Sequence, residues 1–363
     1  MDVTQRIDAL HAKLRETEYD AFVARSVANV TYLTGFDGVW DSEPSSLVLL
    51  TRDSATVITD SRFTEAATEA AAGGPLNVRV ATSDPWALVA ELMAEGGESR
   101  AAVESSLPYS VVEHARTTLA GEVTAVTDWV EVLRSVKDAK EIERTVAAQA
   151  VTDAAFSHIL EFITTGMTES QIAFELEFFM RTHGSDGIAF TPIVASGSNS
   201  ALPHAQPGQR KIRRGDFLTM DFGARVGGYC ADMTRTIVIG EASAQQREIY
   251  DAVHSANLAG IGAVAAGRTG TEIDSVARAV ITERGFGERF GHGLGHGVGL
   301  EIHEAPSVGP RGTGTILAGS IITIEPGIYI PGFGGVRIED LIVVEDEKAR
   351  VLTRSSKDLI ELS

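Results

Sequence analysis

Along residues 1 to about 130 the apolar positions switch repeatedly between two spacings, one of three to four residues and one of two. Ile7, Leu10 and Leu14 mark one face of a charged helix, and AFVARS (21–26), SSLVLLT (45–51) and ATVITD (55–60) follow with strand character. An alanine-rich helix over 63–72, NVRVAT (77–82), a helix from Trp86 to Ala94, AAVES (101–105) and a helix around 111–119 complete the stretch. Strands alternating with helices predict an α/β unit, a mixed sheet covered by helices.

After a linker near Arg134 to Asp138 the pattern changes and then repeats. Asp138 with Glu141 is a capping box opening a helix with Ile142, Val146, Phe156, Ile159 and Ile163 on its apolar face. Thr168 with Gln171 opens a second helix through Ile172, Leu176 and Met180, closed by Gly184. Strands follow at IAFTPIV (188–194), FLTMDF (217–222) and, past the turn at Gly227-Gly228, YCADMTRTIVI (229–239). Ser243 with Gln246 caps a third helix, and a fourth with Ile273, Val276 and Val280 ends near Gly285. IITIEPGIYI (321–330) and VRIEDLIVV (336–344) are the closing strand pair. Helix, helix, then strands with two acids occurs twice. Two similar halves related by a pseudo-two-fold are expected, each giving one carboxylate pair to a shared centre.

Those acids are Asp221 and Asp232 in the first pair, Glu325 and Glu339 in the second. Charged groups in β-branched runs cost several kcal/mol each, in rough terms, if buried unpaired, so something positive must meet them. Between the pairs lies GHGLGHGVGLEIHE (291–304), whose glycines let backbone and imidazole crowd one point. Four carboxylates with His296 are too rich in hard oxygen for a structural zinc site. They fit two divalent ions sharing bridging carboxylates and a water, an arrangement for metal-assisted hydrolysis. Strand alternation places Arg337 on the side of Glu339, where it would hold that carboxylate, and Thr234 and Cys230 on the side of Asp232. Cys230 reads as a small buried filler. RKIRRGD (210–216) reads as a solvated hairpin turn, and His11, His114, His158, His183 and His254, in helical patterns, carry no chemistry.

Composition narrows the class. At 363 residues with 44% hydrophobic content there is material for about two cored domains. A net charge of −19 argues against nucleic acid and anionic membrane as partners. One cysteine excludes an internal disulfide and fits a reducing cytosol. The first residues lack an apolar leader and no long apolar run follows, so a cytoplasmic enzyme is expected.

The ordered motifs MDFG with Asp221, ADMTRT with Asp232, GHGLGHGVGLEIHE with His296, IEPGIY with Glu325 and VRIED with Glu339 resemble the pita-bread metallopeptidases. That family includes aminopeptidase P, proline dipeptidase (prolidase) and methionine aminopeptidase. The likeness runs from about Asp138 to the C-terminus, and YLTGF (32–36) is similar to the extra domain of the proline-directed branch. The resemblance implies an α+β chain, with an N-terminal α/β creatinase-like domain over 1–133 and a C-terminal pita-bread (creatinase/aminopeptidase-like) domain over 134–363.

It further implies Asp221, Asp232, His296, Glu325 and Glu339 as ligands of two divalent ions, manganese first, with cobalt, zinc or iron accepted. His204 in NSALPH and His303 in LEIHE become the two active-site histidines, with Glu325 moving protons; His292 lines the substrate pocket, and Arg337 is the arginine two before the final glutamate. Substrates would be short proline-containing peptides and the assembly a homodimer, the loop 35–44 with Trp40 and Asp41 reaching a neighbouring site. Methionine aminopeptidase-like specificity, and metal-free creatinase-like or binding relatives of the fold, are the alternatives. Dipeptidase and aminopeptidase remain equally open, since the choice depends on whether Arg337 or that loop closes the pocket beyond proline.

Overall fold

The computed structural model describes residues 2–36 and 45–363. Trp40 and Asp41, and with them most of the expected pocket loop, lie outside the described residues. The chain divides into two compact units, Met1–Arg134 and Ser135–Ser363. Among the described residues no helix is long and apolar enough to cross a membrane.

In the first unit α1 (Val3–Arg15) is opened by an Asp2–Gln5 capping box and buries Ile7, Leu10 and Leu14, as their spacing predicts. There follow β1 (Ala21–Ala24), α2 (Val27–Thr34), β2 (Leu47–Thr51), β3 (Ala55–Thr59), α3 (Thr64–Ala71) and β4 (Leu76–Val80). Then come α4 (Pro85–Gly96), β5 (Arg100–Glu104), α5 (Tyr109–Thr118), β6 (Glu122–Val126) and α6 (Glu131–Ser135). The strands form one mixed sheet in the order β4-β3-β2-β1-β5-β6. Three of these elements escape the hydrophobic pattern: α2, β6 and α6. The Ser26 side chain caps the start of α2, and Gly35, at φ +69°, ends it.

The second unit opens with α7 (Ala139–Phe162) and α8 (Glu169–Thr182), both begun by the expected capping boxes. The apolar run 188–194 is split into β7 (Gly187–Ile188) and β8 (Ile193–Ser196), with a 3₁₀ turn over Gly197–Ala201. Then come β9 (Phe217–Phe222), β10 (Ala224–Val226), β11 (Tyr229–Cys230) and β12 (Met233–Ile239). The second half has α9 (Ala244–Gly262), α10 (Gly270–Glu283), β13 (Gly295–Gly297), β14 (Glu304–Val308) and β15 (Ile321–Ile324). It closes with β16 (Gly327–Ile330), β17 (Gly334–Arg337), β18 (Asp340–Val344), β19 (Ala349–Val351) and β20 (Glu361–Leu362).

The larger sheets run β20-β12-β9-β8 and β14-β13-β15-β18-β19. The α7–α8 pair shares an apolar core with the first, through Phe156, Ile172, Leu218 and Ile237, and the α9–α10 pair with the second, through Val253, Ile273, Ile322 and Ile342. Two helices followed by a sheet thus occur twice, as the pattern predicted. One helix face differs from the expected one. On α10 the buried row is Ile273, Ala277 and Ile281, whereas Val276 is exposed, because the helix packs along its i, i+4 ridge.

Candidate metal centre

The expected strand pairs are interrupted at the residues that matter. Asp221 lies within β9, opposite Thr234 of β12. Asp232, in contrast, sits between β11 and β12, Glu325 between β15 and β16, and Glu339 between β17 and β18. The ladder pairs Ile324 with Asp340 and resumes at Gly327 with Arg337, so Glu325 and Glu339 occupy the same discontinuity. Each is pinned by its backbone: the Glu325 amide donates to the Leu294 carbonyl at 2.8 Å and the Glu339 amide to the Thr234 carbonyl at 3.1 Å. His296 is carried by β13, whose amide at that residue donates to Thr323 Oγ1 at 3.1 Å. Glycine on either side is a steric requirement: a Cβ on Gly295 would lie 2.0 Å from the Thr323 carbonyl oxygen, and one on Gly297 2.2 Å from that of Ala305.

These five side chains converge on one cavity of about 350 Å³. Ligand atoms of Asp232, His296 and Glu339 all lie within 4.8 Å of one another. His296 Nε2 is 3.4 Å from Glu325 Oε1 and 3.6 Å from Asp232 Oδ2. Asp221 Oδ2 accepts from Arg337 Nη2 at 2.6 Å, while its Oδ1 is buried without a hydrogen-bond partner.

Without a cation this cluster is electrostatically uncomfortable. Burial first, and then the charges of Glu339, Asp221 and Glu325, push Asp232 well above the ordinary carboxylate range. Burial and the facing Glu325 and Asp221 do the same to Glu339. Glu325 is raised to about 7, chiefly by burial, against the pull of Arg337. Burial also lowers His296, keeping the imidazole neutral and able to coordinate. Four hard oxygen donors, one neutral nitrogen and an orphaned buried carboxylate oxygen are a donor set that fits divalent cations.

Around the cluster the cavity is lined by His204, His292 and His303, and by an apolar wall of Phe190, Ile193, Pro203 and Ile302. His303 meets His296 edge-on at 4.3 Å, and burial lowers its pKa. His292 Nδ1 faces the Gly293 carbonyl at 2.8 Å and so carries the proton; Nε2 then accepts from the Tyr329 hydroxyl at 2.9 Å. Burial and Arg337 hold His292 near 4, a neutral ring at physiological pH. Tyr329 OH in turn accepts from Arg337 Nη1 at 2.9 Å. Tyr329 stands in the IEPGIY motif, but alternation gives it no role, because strand parity does not carry across the break at Glu325.

Arg337 stands elsewhere than strand alternation predicted. It grips Asp221, not Glu339, and its Nε lies 4.0 Å from Glu325 Oε2. The break at Ile338–Glu339 resets the alternation between them. Its Nε also donates to Thr234 Oγ1, whose hydroxyl donates to Glu339 Oε2 at 2.7 Å. All three guanidinium nitrogens are therefore engaged within the protein. Cys230 packs with Ala148, Val298, Ile321 and Leu341 in an apolar cluster, the filler expected of it.

The RKIRRGD run is also more than a solvated turn. Arg210 makes a bidentate pair with Asp216 at 2.7 and 2.9 Å, and Ile212 is fully buried. Beside it, buried Glu169 accepts from the Ser196 and Gly208 amides and from Asn199 Nδ2, stapling the loop that presents His204. A buried Lys137–Glu304 pair at 2.5 Å anchors the segment that presents His303.

Residues 143–346 match Metallopeptidase family M24, residues 6–136 match the Creatinase/Prolidase N-terminal domain, and the chain belongs to this family. Uncharacterized peptidase YqhT of Bacillus subtilis (strain 168) is 38% identical over 98% of this chain and 100% of its own. An Xaa-Pro dipeptidase from Bacillus anthracis superposes with a TM-score of 0.94 at 41% identity, over 99% of this chain and 100% of that one. An X-Pro aminopeptidase from Thermotoga maritima MSB8 gives 0.86 at 34% identity, over 96% and 99%.

Proposed function

We propose that this chain hydrolyses the peptide bond between an N-terminal residue and a following proline, as an Xaa-Pro dipeptidase or Xaa-Pro aminopeptidase. Asp221, Asp232, His296, Glu325 and Glu339 would hold two divalent cations, manganese first. The observation that carries the reading is Asp221: one oxygen is fixed by Arg337 and the other is buried, unpartnered and inside the same cavity as the other four donors. Relatives named for both proline-directed activities support the specificity. When bound, the cations would supply Lewis acidity and lower the pKa of a water, so that it can be deprotonated to a nucleophile at neutral pH.

The chain's own groups supply the rest. Glu325 takes the attacking water's proton at its carboxylate and returns it to the departing proline nitrogen, a poor leaving group until protonated. His204 and His303, exposed on the cavity walls, donate to the oxygen on which negative charge develops. Neutral His292, locked by Tyr329, gives the pocket a fixed uncharged edge. The wall of Phe190, Ile193, Pro203 and Ile302 offers apolar cover for a pyrrolidine ring or an apolar side chain. Arg337, with every nitrogen engaged, serves as the brace of Asp221 and Thr234, which leaves a substrate's free carboxylate to other groups.

The test compares an Xaa-Pro dipeptide, an Xaa-Pro-Xaa tripeptide and Met-Ala-Ser, using chelator-treated protein reloaded with manganese. Cleavage confined to the dipeptide identifies a dipeptidase, and release of the first residue from the tripeptide an aminopeptidase. Preference for Met-Ala-Ser, or no cleavage, overturns the proline-directed reading.

A further inference from the structure

The strand break that carries Glu325 and Glu339 falls between the pairs Ile324–Asp340 and Gly327–Arg337, and the backbone carbonyls of Ile324 and Ile338 come immediately before the two acids. One side chain serves both. Asn257, fully buried on α9, donates through Nδ2 to the Ile324 carbonyl at 2.9 Å and the Ile338 carbonyl at 3.3 Å. Its Oδ1 accepts from Lys357 Nζ at 3.0 Å. That ammonium fixes which way the amide points, since the flipped amide would set an oxygen against two carbonyls and a nitrogen against a cation.

Lys357 Nζ also donates to Asp340 Oδ2 at 2.7 Å, on the residue after Glu339. The other Asp340 oxygen takes Arg235 Nη2 at 2.9 Å, and Arg235 Nη1 donates to the carbonyls of Thr234 and Glu339. Arg235 Nε and Nη2 reach the Ser356 and Ser355 carbonyls at 3.0 and 2.9 Å. The same strap is held from α7, where Asp153 accepts the Ser355 amide at 2.8 Å, and from α9, where Tyr250 OH donates to the Lys357 carbonyl at 3.1 Å. Neither Lys357, Asn257 nor Asp340 lines the cavity.

We infer that the segment 354–358 is part of the metal-centre scaffold, and that Lys357 is a positioning residue which, through Asn257 and Asp340, sets the separation of the Glu325 and Glu339 carboxylates. A lysine rather than a neutral group is needed because Asp340 is almost wholly buried and Arg235 satisfies only one of its oxygens. The inference rests on the two-cation reading above.

The experiment titrates chelator-treated chain with manganese by calorimetry and counts metal per chain. Lys357→Met is expected to weaken manganese binding ten- to a hundredfold, the range found when groups supporting metal ligands are removed. With manganese saturating, kcat for an Xaa-Pro dipeptide should fall while KM stays near wild type, and Lys357→Arg should restore most of both losses. Val89→Ala, which opens the separate core of the first unit, should lower the melting temperature without moving manganese affinity. Lys357→Met that melts early but binds manganese as wild type does would overturn the inference and leave the metal reading standing. Wild-type chain that binds no divalent cation would overturn both. Should Lys357→Met not fold, Asn257→Ser is measured in its place against the same outcomes.

Discussion

Glu325 shows how much one residue's surroundings decide. Burial raises its pKa to about 7, Asp221 adds to the rise, and Arg337 opposes it. Between about 4.5 and 7 the metal-free native chain therefore holds a proton that the unfolded chain has released. The stability from this group is complete below 4.5 and is lost as pH rises through 7. Chelator-treated Glu325→Gln, with nothing to titrate there, should gain in melting temperature on wild type as pH rises across that window and hold the gain above it. His292, lowered to about 4, contributes the opposite slope below 6.5, but both chains carry it and the difference removes it. Manganese should reverse the order, since glutamine is the poorer ligand. A difference that stays flat with pH would mean Glu325 is an ordinary carboxylate.

At the scale of elements, legibility follows how local the cause is. The capping boxes at Asp138, Thr168 and Ser243 formed as written, because a cap is decided by residues three apart. The strand breaks at Glu325 and Glu339 are not legible in the sequence, since each amide is held by a partner far along the chain, the Leu294 and Thr234 carbonyls. Arg337 pairs with Asp221 instead of Glu339 for the same reason. The glycines of GHGLGHG were read correctly as permitting close approach but could not be ranked. A Cβ at Gly295 would meet the Thr323 carbonyl oxygen at 2.0 Å, whereas at Gly291 nothing lies within 4 Å. Gly295→Ala should then destabilise the metal-free chain by roughly 1–3 kcal/mol, as overpacking does, and weaken manganese binding by displacing β13 with His296. Gly291→Ala should stay within about 0.5 kcal/mol of wild type, with unchanged affinity. Denaturant melts and metal titrations on the two variants decide it, and equal losses would show that flexibility, not contact, is what the segment requires.

Across the whole chain, every residue assigned to the cation site belongs to the unit Ser135–Ser363, and the first unit has an apolar core of its own. A ligand that binds only the native state stabilises it by about 2.7 kcal/mol at a hundredfold excess over Kd, and slows only those openings that break its site. Removing cations should therefore speed amide exchange in β12, β15, β16, β17 and β18, strands that flank the breaks, while β1 to β6 keep their rates. Net charge makes the locality informative. A chain of formal charge −19 attracts cations over its whole surface, and relief of that general repulsion would slow exchange in both units together. Hydrogen exchange followed by mass spectrometry, with and without chelator at fixed ionic strength, separates the cases. Acceleration confined to peptides spanning 233–239 and 321–344 is the expected result. A uniform change over β1 to β6 as well would reduce the four converging carboxylates to part of a diffuse counterion effect.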